Sequence, residues 1–108
     1  MDDFFRFFRI SGMFHCAAGP GAWVFGQGGN AAAQGIPFDK EHNVLAAIVE
    51  WVEKGIAPET ITGTKFVNDS VSAGVDFTRR HCRWPRRNTY LGEGKDPKDS
   101  DSWECKLV

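Results

Sequence analysis

The segment 40–54 constrains this chain more than any other. Val44, Leu45, Ile48, Val49 and Val52 recur at i, i+1, i+4, i+5 and i+8, which sets them on one stripe of an α-helix. Trp51 widens that stripe. Asp39 stands where an N-cap is wanted, Gly55 fits the position just past the end, and Pro58 follows as a stop. A helix with a single apolar face is stable only when a second layer covers that face.

Strand candidates lie on both sides of the helix. Residues 4–10, Phe-Phe-Arg-Phe-Phe-Arg-Ile, read as a strand whose nearly continuous apolar pattern suits burial on both faces, with Ser11-Gly12 ending it. Ile61 to Val67 reads as a second, short strand rich in β-branched residues. From Asn68 onward turn formers and charges dominate, with one further short strand near Thr89-Tyr90-Leu91. Residues 16–37 hold Gly19, Pro20, Gly21, Gly26, Gly28, Gly29, Gly35 and Pro37, a long loop of the kind that usually carries function. The chain is therefore α/β in class. No repeat or composition break divides it.

Charge and composition narrow the partners. A net charge of −1 argues against a general nucleic-acid or membrane-surface role. Four Trp and nine Phe in 108 residues imply a ring-rich core or pocket, or a surface that expects a partner. No run is long enough to cross a membrane. A signal peptide is also not visible, because Asp2 and Asp3 replace the basic start and Arg6 and Arg9 interrupt the apolar run. Three cysteines suggest one pair plus a residue whose partner lies outside the chain.

Among the titratable residues His15 has the most telling place. It follows the strand 4–10 and opens the glycine-rich loop, where an α/β-hydrolase carries its triad histidine. In that fold the chain order is Ser, then Asp or Glu, then His, so the nucleophile and the acid are expected upstream of Met1. His42 falls in the first turn of the expected helix and His81 sits among arginines, both ordinary places for a structural or solvated imidazole. The dipeptides His15-Cys16 and His81-Cys82 do not make a zinc site, since adjacent residues of an extended chain point apart. Gly26-Gln27-Gly28-Gly29 lacks the spacing of a phosphate loop, and Ser11 is not in a nucleophile elbow. Arg79, Arg80, Arg83, Arg86 and Arg87, with Trp84 and Tyr90 among them, form a basic patch that could take an acidic partner. The plainer reading is a solvated surface with arginine stems over rings, neutralised by the acidic residues 93, 96, 99, 101 and 104.

Several runs taken together resemble a family. They are Phe8 through Cys16, Gly19-Pro20-Gly21-Ala22-Trp23, Phe25-Gly26-Gln27, the helix Asn43 to Gly55 with Ala57-Pro58, and Arg79 to Cys82 leading to Pro85, Tyr90, Gly92 and Cys105. They are similar to the C-terminal segment of the tannase/feruloyl esterase family of secreted α/β-hydrolases. The resemblance implies a partial α/β-hydrolase domain over 1–108: last core strand, histidine loop, final amphipathic helix, then a short strand and a disulfide-closed tail. It implies carboxylic ester hydrolysis by a Ser-Asp-His acyl-enzyme route, with His15 as general base and an aromatic ester as substrate. It also implies that Cys16 bonds to a cysteine preceding the nucleophilic serine, outside this chain, and that Cys82 pairs with Cys105. The nucleophile, the acid and a calcium-bearing lid belong to upstream sequence, so the chain is expected to hold no cofactor and to be inactive alone. Asp2 and Asp3 are not the triad acid, which belongs to a different strand. Phe14 stands where the family has a smaller residue, and Ala17-Ala18 replace a Ser/Gly-type pair. Secretion follows from the resemblance rather than from a visible leader. The rival expectation is a small non-catalytic binding module that uses the Arg79–Arg87 patch for an acidic partner.

Overall fold

Asn43, rather than Asp39, begins the helix. The computed structural model describes residues 4–15, 18–27, 35–92 and 94–107, and α1 runs Val44–Lys54. Asn43 is extended, and its side-chain oxygen accepts from the Leu45 and Ala46 amides at 2.9 and 3.2 Å. Asp39 instead closes a separate turn, accepting from the His42 amide at 2.9 Å and meeting His42 Nδ1 at 2.8 Å. His42 therefore precedes the helix. Gly55 ends α1 in the left-handed region at φ 71°, its N–H on the Trp51 carbonyl, as the sequence requires.

The covered face of α1 is not the long-chain stripe. Ala46 and Ala47 are buried, whereas Leu45, Ile48, Val49 and Val52 are exposed. The Val44 amide donates to the Phe25 carbonyl at 2.7 Å, and Glu41 accepts from both the amide and the hydroxyl of Thr62 at 2.6 and 2.7 Å. These bonds seat the start of the helix against its neighbours, with Val44 half-buried and Ala46 and Ala47 buried there.

Four strands pair as two antiparallel ribbons. β1 (Thr60–Phe66) runs against β2 (Val75–Cys82) from Thr60↔Cys82 to Phe66↔Val75, with a register shift at Lys65/Phe66. β3 (Arg87–Tyr90) runs against β4 (Trp103–Lys106). β1 and β3 match the expected strands closely. β2 and β4 were not anticipated, because their alternation is confined to Val75-Asp76-Phe77-Thr78 and Trp103-Glu104-Cys105-Lys106, runs too short to stand out among the charges and turn formers around them. Their pairing rests on backbone bonds and on rings under arginines instead.

The expected strand 4–10 does not form. Within it only Phe8 makes a bridge, to Arg83, and the Phe7 carbonyl accepts from the Trp84 amide at 2.7 Å. Phe4, Phe5 and Phe7 are exposed, so among the described residues the run has no neighbour strand on either side. A better partner for β1 is the segment 22–24. Val24 exchanges both backbone hydrogen bonds with Thr64, at 3.0 and 2.9 Å. This pairing buries Trp23, Val24 and Phe66 as the core, with Met13, Ala18 and Ile36 packed against them.

Candidate active site

His15 stands exposed on a bend between two chain limbs that cross beneath it. At the crossing the Gly21 amide donates to the Gly12 carbonyl at 2.9 Å, and the Phe14 amide donates to Ala18 at 3.0 Å. The backbones approach so closely that a Cβ on Gly21 would collide with the Ser11 carbonyl, and one on Gly12 would lie 2.7 Å from the Gly21 nitrogen. Gly12 also holds φ 77°, where side chains are strained. The glycines of this loop thus fix the base of the His15 turn by permitting the crossing.

A polar relay anchors the second limb. Trp23 Nε1–H donates to Asp69 Oδ1 at 2.9 Å, and Lys65 Nζ donates to the same oxygen at 2.7 Å. Lys65 also donates to the Gly19 carbonyl at 2.8 Å, inside the loop that carries His15. The Lys65 and Trp23 hydrogen bonds hold the Asp69 carboxyl below the usual carboxylate range. Asn68 and Asp69 both sit at positive φ, 52° and 57°, a conformation that short polar side chains tolerate best. Sequence reading did not find this relay, since Asp69 lies in a stretch that shows only turn formers.

The role of His81 is structural. It is 3% exposed, and its Nε2 lies 2.8 Å from the Ala22 carbonyl, so that nitrogen carries the proton. Burial lowers its pKa, the Ala22 bond opposes this, and the Arg79 charge adds to the lowering. Gly63 makes the contact possible, because a Cβ there would strike the Ala22 carbonyl and approach His81 Nε2 to 2.7 Å. A glycine inside a β-branched run was the available signal for such an approach.

The remaining expected residues separate cleanly. Cys82 and Cys105 are joined as a disulfide, the pairing that the resemblance implies, and it ties β2 to β4. Cys16 lies outside the described residues, as do Asp2 and Asp3. Arg80 bonds Asp101 at 2.9 Å and lies 3.6 Å from Glu41, while Arg83 meets Glu59 at 2.9 Å. That half of the basic patch is neutralised locally. Among the described residues no three His, Cys, Asp or Glu side chains gather to hold a metal, and no helix is long and apolar enough to cross a membrane.

Comparison with known proteins gives the arrangement its context. The family model for tannase and feruloyl esterase matches residues 1–106. Over 84 residues the chain is 61% identical to a probable feruloyl esterase B-2 of Aspergillus flavus, covering 78% of this chain and 16% of that protein. Over 105 residues it is 53% identical to a probable feruloyl esterase B of Aspergillus clavatus, covering 97% and 19%. A crystal structure of an esterase from Aspergillus oryzae superposes with a TM-score of 0.79 at 50% identity, over 96% of this chain and 20% of that one. Feruloyl esterase B from the same organism gives 0.73 at 39% identity, over 96% and 19%. The chain spans about a fifth of the length of the relatives it matches. With sequence and backbone agreeing along almost its whole length, the chain belongs to the tannase and feruloyl esterase family.

Proposed function

We propose that this chain supplies the histidine-bearing part of a serine carboxylic ester hydrolase with an α/β-hydrolase catalytic domain. The observation that carries the reading is the placement of His15, exposed on a turn whose two limbs are pinned at Gly12–Gly21 and Lys65–Gly19. A general base must reach its nucleophile without wandering, and a pinned exposed turn meets both needs.

In this reading His15 takes the proton from a serine hydroxyl as that oxygen attacks the ester carbonyl. It returns the proton to the departing alcohol, and a water then repeats the sequence to release the acid. The serine, the acid that orients the imidazole and the oxyanion donors come from sequence beyond this chain. Cys16 would bond to the cysteine preceding that serine, tethering base to nucleophile. The calcium that the resemblance implies is assigned to the lid, not to these residues. The substrate is an aromatic ester of hydroxycinnamoyl or galloyl type, and disulfide use suits a secreted protein.

The test is a transplant. The chain replaces the matching segment of the Aspergillus oryzae esterase to which it is 50% identical, and hydrolysis of methyl ferulate and methyl gallate is followed. The reading predicts turnover by the hybrid and none by the 108-residue chain alone. A folded hybrid that hydrolyses neither ester, or an isolated chain that turns over, contradicts it.

A further inference from the structure

The tip of the β1–β2 hairpin carries a motif that the ester chemistry does not use. Of the four asparagines in the chain, only Asn68 has a hydroxyl residue two places on, in Asn68-Asp69-Ser70. Asn30 is followed by Ala31-Ala32, Asn43 by Val44-Leu45 and Asn88 by Thr89-Tyr90. Asn-x-Ser, with any middle residue but proline, is the acceptor sequence for an N-linked oligosaccharide, and a used acceptor lies on a surface loop. Such triplets are common by chance. What distinguishes this one is its place in the fold.

Asn68 and Ser70 stand between β1 and β2, where the chain makes two successive 3-10 turns, Val67–Asp69 and Val71–Ala73. Asn68 is exposed, and among the described residues its side chain makes no hydrogen bond. Its backbone lies at φ 52° and ψ 28°, the left-handed turn conformation in which asparagine is enriched. By contrast Asn43 is buried with its side chain capping α1, and Asn88 is half-buried in β3. The carboxylate of Asp69, between the two acceptor residues, is compensated by its bonds to Lys65 and Trp23. Val67, Val71 and Val75 flank the motif, and all three are exposed. A sugar chain rooted at Asn68 would shield that apolar surface and solubilise the tip.

We propose that Asn68 is an N-glycosylation site, a reading that rests on the chain being part of a secreted enzyme. The donor is an oligosaccharide carried on a lipid diphosphate, and the catalyst is a membrane-bound oligosaccharyltransferase of the secretory pathway. The Asn68 side-chain nitrogen forms a bond to the anomeric carbon of the first sugar. The bond from that carbon to the diphosphate oxygen breaks, and its electron pair leaves with the lipid diphosphate. One amide proton passes to a base of the transferase, and nothing is oxidised or reduced. The Cys82–Cys105 disulfide calls for the same oxidising compartment, so its formation reports separately that the chain has passed through it.

The test places the 108-residue chain behind a cleavable secretion leader in a yeast host, with protein taken from both medium and cells. Peptide-N-glycosidase in heavy-oxygen water converts a glycosylated asparagine to heavy-labelled aspartate. Mass spectrometry then reads the tryptic peptide from Phe66 to Arg79, whose only asparagine is Asn68. The heavy label is expected at Asn68 in chain that carries the Cys82–Cys105 disulfide, together with a gel mobility that increases on glycosidase treatment. Ser70→Ala leaves Asn68 in place and gives up the contact with the Ser72 hydroxyl at 3.0 Å, so the fold is expected to survive while the label is lost. Ser70→Thr keeps the acceptor hydroxyl and is expected to keep the label. Disulfide-bonded chain with Asn68 unlabelled in both fractions overturns the proposal, as does a Ser70→Ala chain still glycosylated at Asn68. The leader supplies entry and the glycan is read directly, so either result stands whether or not His15 acts in ester hydrolysis.

Discussion

Replacing Asp69 tests whether the His15 loop is held by the relay beneath it. Trp23 is 2% exposed, and its indole N–H finds its acceptor on Asp69. Asp69→Ala leaves that buried donor unpaired, which costs about 1–3 kcal/mol. It also puts alanine at φ 57°, adding about 1 kcal/mol. The ion pair with Lys65 contributes little more, because the Asp69 side chain is 42% exposed and solvent screens it. The expected loss is about 2–4 kcal/mol, read by urea unfolding followed through tryptophan fluorescence. Asp69→Asn keeps an oxygen acceptor and a residue that tolerates positive φ, so it is expected to lose less than about 1 kcal/mol. An alanine variant within about 0.5 kcal/mol of the parent refutes the relay, as does an asparagine variant equally destabilised.

Other expectations follow from the same contacts. Gly63→Ala forces Ala22 and His81 apart and should cost about 1–3 kcal/mol in urea unfolding, with a larger change at the Trp23 end of β1 by hydrogen exchange. Cys82→Ser with Cys105→Ser opens a loop of sequence separation 23 and should lower stability by about 3 kcal/mol, visible as a fall in Tm. Acid should act in two stages. His81 has a folded pKa below its unfolded value, so the unfolded chain binds the proton more readily and stability falls as pH drops below about 6.5. Asp69 has a depressed pKa, so its contribution is present above about pH 4 and is lost as pH falls through the folded value. His81→Gln should remove the first stage and leave the second, measured by unfolding midpoints across pH 7 to 3.

How far the sequence went depends on which kind of signal each element carries. α1 was legible because periodicity, a C-terminal glycine and a following proline agree, and β1 because Ile61, Thr62 and Thr64 favour strands. The cap was misplaced by four residues, since Asp39 and Asn43 are equally good cap residues and only backbone direction decides between them. The run 4–10 misled because aromatic content states a need for burial, not who supplies it. β2 was hidden by Arg79 and Arg80, whose stems rest on rings or bond to distant carboxylates that no local pattern reveals. The position of His15 on the chain was readable from motif order. The supports of its loop were not, because Lys65 and Asp69 reach it across 46 residues of sequence in each case.

The claim that matters most is that His15 is the general base of an esterase, and one ratio tests it. In the hybrid carrying this chain, kcat for methyl ferulate is measured with His15 intact and with His15→Ala, each checked for native near-UV circular dichroism. Loss of the base should reduce kcat by about 10⁴-fold or more with the fold unchanged. A folded His15→Ala hybrid within about tenfold of its parent would place the base elsewhere and contradict the account.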